Sequence, residues 1–235
     1  MTCTRTPLAP RRGDAPYAVG VTAQIEWVQS PTADVSYPAA PWHMVGSLWL
    51  TLFKVRDRVD DLRPAGIYGA AFVSYEGGSP LTYSELLVAR PVSTDIDGRR
   101  VTITDIWVDS PASVAGGREL WGIPKGLCDF SLESEHRGPY TTTEWTARDG
   151  RTPIAAATFR DVSRAAPRLP FKGGTWQPGI EDTGGEERTT TLRGSSKALP
   201  ARGRWDINPD GPLGWLAGAR QLASFRQASF RMSFG

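Results

Sequence analysis

The sequence predicts a mainly β protein with a few short helices. Much of the chain runs in β-branched and aromatic segments punctuated by Gly, Pro, Asp and Asn clusters. Few of these segments alternate cleanly between apolar and polar residues, which predicts sheets covered on both faces. The composition, 40% hydrophobic with nine Trp in 235 residues, supplies enough apolar surface for a large core.

The segments that read as strands are Gly20 to Val28, Met44 to Val55, Ile67 to Tyr75, Leu81 to Val92, Arg100 to Val108, Gly126 to Glu133, Thr141 to Arg148, Pro153 to Arg160 and Leu222 to Phe234. Two short helices are expected. One spans Arg56 to Leu62 and stops at Pro64, and the other opens with Ser110 as N-cap and Pro111 in the first turn. Gly116-Gly117 reads as a helix C-cap or a hinge. The stretch from Arg164 to Arg204, rich in Gly, Pro and charge, is compatible with a long hairpin or with a lid. Residues 1–16 read as a disordered arm and 17–235 as a single domain.

A net charge of +2, with basic residues spread along the chain, excludes a nucleic-acid groove from the expected functions. No run of 18 apolar residues and no hydrophobic leader is visible, so the expected setting is cytoplasmic, away from membranes. Cys3 and Cys128 do not make a disulfide framework, and Cys128 reads as a small core residue. His43 and His136 lack the spacing and companions of metal ligands. No glycine-rich phosphate loop or hydrolase elbow is present, so neither a metal nor a nucleotide cofactor is expected.

The most informative stretch is Gly116-Gly117-Arg118-Glu119-Leu120-Trp121-Gly122-Ile123-Pro124-Lys125-Gly126-Leu127. It sets one lysine in an apolar, glycine-punctuated turn. An amine attacks a carbonyl only when deprotonated, and burial among Trp121, Ile123, Leu127 and Phe130 would lower the pKa of Lys125. A lysine that follows a proline also commonly begins a strand at the surface. Upstream, alternation places Tyr83, Glu85, Leu87 and Ala89 on one strand face that reads as interior. A carboxyl held there can move protons near neutrality. Asp105, between Ile103 and Trp107, is either an interior acid or a mark of a solvated face. Arg118 and Glu119 serve either a substrate carboxylate and the lysine, or a structural ion pair that fixes the turn.

The run Gly117-Arg118-Glu119-Leu120, followed three residues later by Pro124-Lys125, resembles the Schiff-base lysine motif of the acetoacetate decarboxylase-like superfamily. Thr82-Tyr83-Ser84-Glu85, with Ala89 and Pro91-Val92, resembles that family's strand carrying an active-site glutamate. The resemblance implies an antiparallel sheet closed into a cone-shaped barrel, homo-oligomeric assembly, and a cofactor-independent lyase that binds a small carbonyl substrate. Lys125 would be the nucleophile and Glu85 the proton carrier, with Arg118, Tyr83, Trp121, Trp107, Asp105 and Trp49 as candidate substrate contacts.

The chain departs from the family pattern at three places. The motif lysine is followed by Gly126 instead of a second lysine. The family's early-strand arginine falls near Ser47, and a second glutamate falls near Ala70. These losses argue against acetoacetate as substrate and for a larger, more apolar ketone or keto acid. Gly46, Ser47, Gly69 and Ala70 would widen the pocket, while Trp42, Trp49, Trp107 and Trp121 would line it or belong to the core. An aldolase-dehydratase or cyclase of secondary metabolism is the leading expectation. A β-keto acid decarboxylase and a non-catalytic metabolite-binding barrel are the alternatives.

Overall fold

A computed structural model describes residues 25–95, 99–162 and 166–235. A small hairpin of β1 (Trp27–Gln29) and β2 (Ser36–Pro38) precedes the main sheet. There follow β3 (Trp42–Val55), β4 (Gly66–Tyr75), β5 (Tyr83–Val92), β6 (Arg100–Val108), the helix α1 (Pro111–Trp121), β7 (Gly126–Leu127), β8 (Asp129–Arg137), β9 (Tyr140–Asp149) and β10 (Thr152–Asp161). The chain ends with β11 (Arg168–Gln177), a 3-10 turn (Glu181–Thr183), β12 (Arg188–Ile207), a one-turn helix α2 (Gly214–Ala217) and β13 (Arg220–Phe234). Among the described residues, no helix is long and apolar enough to cross a membrane.

The strands pair in the order β11-β6-β5-β4-β3-β13-β12-β10-β9-β8, and β11 pairs β12 as well. The strands from β6 through β3 and β13 to β12 and β11 therefore close a ring of hydrogen bonds, a barrel. Most pairings are antiparallel. The β6–β11 seam is parallel and has a single register pair, Thr175↔Val101. The buried side chain of Gln177 extends it: its Oε1 accepts from the Ile103 amide (3.0 Å) and its Nε2 donates to the Ile103 carbonyl (3.3 Å). One side-chain amide thus does the pairing of a backbone peptide.

β12 is long enough to serve two layers. Its first half closes the barrel against β11 and its second half pairs with β10. The β10-β9-β8 extension covers the outer face of the barrel. On β4, Val73 and Tyr75 point into the barrel, whereas Tyr68, Ala70 and Phe72 join the outer core. There Phe72 stacks on Trp145 and Trp205, with ring centroids 5.2 and 5.1 Å apart. Two apolar faces per strand account for the absence of clean alternation in the sequence.

Several sequence expectations are corrected. Arg56 to Leu62 is not helical: Asp60 accepts from the Arg63 amide (2.7 Å), and Arg63 reaches across to Asp105 of β6, so side-chain bonding of Asp to the backbone wins over helix. Gly116-Gly117 is neither cap nor hinge, since α1 runs through it and ends at Gly122, whose φ of 63° is the left-handed value that favours glycine. Gly126 to Glu133 is two strands, β7 parallel to β6 and β8 paired with β9, broken at Cys128. From residue 166 onward the 164–204 stretch forms the β11–β12 hairpin, the first of its two expected readings. Residues 20–24 of the first expected strand, and the expected arm over 1–16, lie outside the described residues.

Candidate active site

Lys125 reaches the barrel interior through a fixed local path. Ser110 caps α1 by accepting from the Ser113 amide (3.2 Å), with Pro111 in the first turn. At the other end the Gly122 amide bonds the Arg118 carbonyl (3.0 Å) and the Ile123 amide bonds the Gly117 carbonyl (3.0 Å). The chain then turns tightly, the Lys125 amide donating to the Ile123 carbonyl (2.7 Å), and continues as β7 alongside β6. The side chain folds back over α1. A Cβ on Gly117 would lie 2.7 Å from Lys125 Cδ and 2.8 Å from Cε, and one on Gly116 would lie 2.7 Å from the Trp42 ring. The glycine pair therefore lets a lysine and a tryptophan lie directly on the helix backbone.

Lys125 Nζ donates to Ser113 Oγ (2.9 Å), Glu85 Oε2 (3.1 Å) and Tyr83 Oη (3.4 Å), and Tyr75 Oη donates to Glu85 Oε1 (3.1 Å). The Lys125 and Glu85 side chains are 5% and 4% exposed, so the ion pair is almost fully desolvated. Tyr75 and Tyr83 pack with centroids 4.4 Å apart, and the ammonium lies 5.1 Å from the Tyr83 ring centre. The group faces a cavity of about 340 Å³ inside the barrel, walled by Trp42, Met44, Trp121, Ile123, Phe230 and Phe234 among others. Among the described residues, Lys172, Thr175 and Gln227 also bring polar side chains to that wall.

The protonation of the lysine is opposite to the sequence expectation. Burial does push the Lys125 amine down, as expected, but the charge of Glu85 and the hydrogen bonds to Glu85 and Tyr83 outweigh it and hold the pKa above the ordinary lysine value. The raised value favours the ammonium form of Lys125 at neutral pH. Burial also raises both tyrosines, Tyr75 strongly, with Glu85 adding to the rise at each and Lys125 opposing it at Tyr83. Both stay neutral at physiological pH.

Of the residues singled out in the sequence, the fold brings Lys125, Glu85, Tyr83, Trp121, Trp42 and Ile123 to one cavity, with Leu87 and Ala89 beside Glu85 as alternation required. The others fall elsewhere. Asp105 takes Arg63 in a two-pronged ion pair (2.6 and 3.1 Å). The reason is a bulge: Val88 pairs Asp105 while Ala89 pairs Ile103, leaving Thr104 extra and reversing the phase of β6. Ile103 and Ile106 thus face the cavity, and Trp107 packs against the outer core. Trp49 lies in the outer core, 5.5 Å from Trp145. Arg118 pairs Asp182 (2.7 Å) and ties α1 to the turn after β11. Glu119 accepts from Ser30, Thr32 and Tyr37 (2.5, 2.7 and 2.6 Å), clasping the first hairpin to α1. Arg118 and Glu119 do not pair with each other. None of Gly46, Ser47, Gly69 and Ala70 lines the cavity, so they do not widen it.

Ser113 and Tyr75 were not singled out from the sequence. Ser113 stands four residues before Gly117, on the helix face that Lys125 crosses, and that spacing was a usable signal. Tyr75 shares the inward phase of Val73 on β4.

The site is thus a lysine–carboxylate pair buried beneath an apolar cavity inside a β barrel. Residues 56–181, more than half of the chain, match the family model described as "Acetoacetate decarboxylase (ADC)", and the chain belongs to that family. Its fold is similar to that of acetoacetate decarboxylase from Legionella pneumophila subsp. pneumophila str. Philadelphia 1 (TM-score 0.57, 16% identity, covering 92% of this chain and 90% of that one). It is also similar to the enduracididine biosynthesis enzyme MppR, solved with the condensation product of pyruvate and imidazole 4-carboxaldehyde (TM-score 0.57, 16% identity, 83% and 87% covered). An acetoacetate decarboxylase-like enzyme from Sphingomonas wittichii RW1 gives a TM-score of 0.52 at 14% identity, with 83% and 90% covered. No curated protein sequence matches the chain.

Proposed function

We propose that the protein is a cofactor-independent lyase in which Lys125 forms a Schiff base with a ketone or keto acid and Glu85 carries protons. The observation that carries this reading is the Lys125–Glu85 pair, 3.1 Å apart at the floor of an apolar cavity. The ammonium holds every proton the condensation needs. One passes to Glu85, freeing the amine to attack the carbonyl carbon. The carbinolamine oxygen then takes two protons, through Glu85, and leaves as water, so ammonium plus ketone becomes iminium plus water. Moving a proton between Lys125 and Glu85 leaves the pair's net charge at zero, so the low-dielectric cavity does not oppose it as it would oppose an isolated charge.

The iminium is an electron sink with Glu85 beside it. The carboxylate is placed to take a proton from the carbon next to the iminium, giving an enamine that attacks an aldehyde or closes a ring. This favours aldol–dehydration or cyclisation. The ligand bound in the MppR structure, a condensation product of pyruvate with an aldehyde, is of that chemical kind. Decarboxylation is the second reading, favoured by one observation: an apolar wall disfavours a substrate carboxylate and so promotes its loss as carbon dioxide. In either case the wall suits a substrate larger and more apolar than acetoacetate.

The test is incubation with acetoacetate, pyruvate and larger methyl ketones in the presence of borohydride, followed by mass mapping. Larger ketones should leave a reduced adduct on Lys125, with none in Lys125→Met. If compounds that bind are never trapped, the chain is a metabolite-binding barrel. Rapid decarboxylation of trapped acetoacetate would restore the ordinary decarboxylase reading.

A further inference from the structure

The cavity is longer than a small keto acid needs. Four successive inward positions of β5, Tyr83, Glu85, Leu87 and Ala89, all line it. A strand rises about 3.3 Å per residue, so this wall runs about 13 Å from Glu85 to Ala89. Its exposure changes along the way. Lys125 and Glu85 are buried, whereas Leu87 and Ala89 are only partly so. The neighbouring strand shows the same gradient: Ile103, which pairs Ala89, is 8% exposed, and Val101, which pairs Pro91 one step further out, is 36% exposed. The lysine thus lies at the closed end of the cavity, and Ala89 stands toward the open one.

Beyond Glu85 this wall is apolar. β5 contributes Leu87 and Ala89, β6 contributes Ile103 and Val101, and β3 contributes Leu48. Apolar side chains left partly in water around a cavity favour a ligand that covers them with apolar surface of its own. An extended chain advances about 1.2 Å per atom, as a fully stretched backbone does. A four-carbon keto acid held at Lys125 would therefore reach only about 5 Å and leave most of the wall bare. A chain of about ten atoms would reach Ala89.

We infer that the substrate is an elongated ketone or keto acid whose unbranched apolar chain, of about eight to eleven carbons, runs from Lys125 along β5. Ala89 sets the length accepted: its methyl is the shortest side chain of the four inward positions, and it stands where the chain passes out of the closed part of the cavity. The inference rests on the Schiff-base reading of the same cavity and narrows its substrate class from apolar ketones in general to medium-length aliphatic ones.

The test uses unbranched methyl ketones of about four to thirteen carbons, which bracket that length. Binding to the wild type, Ala89→Val and Ala89→Phe is read from the fluorescence of Trp42 and Trp121, which line the cavity, and borohydride trapping on Lys125 is followed separately. In the wild type, affinity should rise about two- to fourfold per added carbon and level off at about eight to eleven carbons, where further methylenes stay in water. In Ala89→Phe the plateau should move to ketones several carbons shorter, and the ratio of ten-carbon to four-carbon affinity should fall about tenfold or more. Ala89→Val, a smaller change at a partly exposed position, should give an intermediate shift and keeps the test open where the phenylalanine is not tolerated. An affinity that stops rising at about five carbons in the wild type, or a plateau that stays in place in both variants, overturns the assignment. Length-dependent binding without any trapping would remove the Schiff-base reading and leave the channel standing. Trapping of short ketones with no gain from added length would do the reverse.

Discussion

Lys125 Nζ lies 3.1 Å from Glu85 Oε2, and the two side chains come from segments 40 residues apart in the chain. Each has its charge out of water, and among the described residues each is the other's only ionic partner. Their energetics therefore cannot be separated residue by residue.

Removing one partner leaves the other uncompensated. Breaking a buried pair costs about 3–5 kcal/mol, whereas replacing both partners by apolar or neutral groups of similar volume is often neutral or stabilising. Lys125→Met and Glu85→Gln should each lower stability by that order in urea unfolding. The double variant should recover most of the loss while remaining inactive. Simple addition of the two losses would show that the residues do not act as a pair.

The pair also sets the pH behaviour of the amine. Because the folded pKa of Lys125 is raised, its contribution to stability is fully present below the ordinary lysine value of about 10.4 and fades as pH rises through the folded value. Amine-probe modification of the ligand-free protein should accordingly titrate above the ordinary value. In Glu85→Gln the burial remains and the anion is gone, so the midpoint should fall below it. A wild-type midpoint below ordinary lysine would show that desolvation wins after all.

The sequence makes this site half legible. Lys125 and Glu85 can be found because a motif and a strand alternation are local patterns, and the inward face of β5 follows from period two alone. What the chain does not display is which distant group meets a side chain. Burial of Lys125 is readable from Trp121 and Ile123, whereas Leu127 is exposed and Phe130 packs against the outer core, and the anion that reverses the lysine's pKa comes from another strand. The Asp105 expectation fails for a different reason: a bulge at Thr104 leaves no mark in composition but shifts every later residue of β6 to the opposite face. The second sheet layer, supplied by the far half of β12, is equally silent in sequence, and it is what assigns Trp49 and Trp107 to the outer core.

That correction has its own consequence. Asp105 is 8% exposed and its bidentate partner Arg63 fixes the turn between β3 and β4. Asp105→Asn should weaken the fold by about 1.5–3 kcal/mol, the range for hydrogen bonds to charged groups, while substrate trapping at Lys125 proceeds at near the wild-type rate. Loss of trapping in a well-folded Asp105→Asn protein would return Asp105 to the site.

Gly117 ties the backbone of α1 to the placement of the amine. In a helix interior glycine is about 1 kcal/mol worse than alanine, so Gly117→Ala should favour α1 on propensity alone. The added Cβ, however, would stand 2.7 Å from Lys125 Cδ and 2.8 Å from Cε, closer than such atoms approach. The long lysine side chain is the part free to move, and it would swing off the helix, carrying Nζ away from Ser113 and Glu85. Displacement by about 1 Å at a reacting group can cost about a hundredfold in rate. Gly117→Ala should therefore slow iminium formation by one to two orders of magnitude and, because loosening the buried pair with Glu85 outweighs the gain of about 1 kcal/mol in helix propensity, lower the unfolding midpoint as well. Borohydride trapping rates beside thermal unfolding would read both. A variant as reactive as the wild type would mean that the close approach of Lys125 to α1 is not what positions the amine.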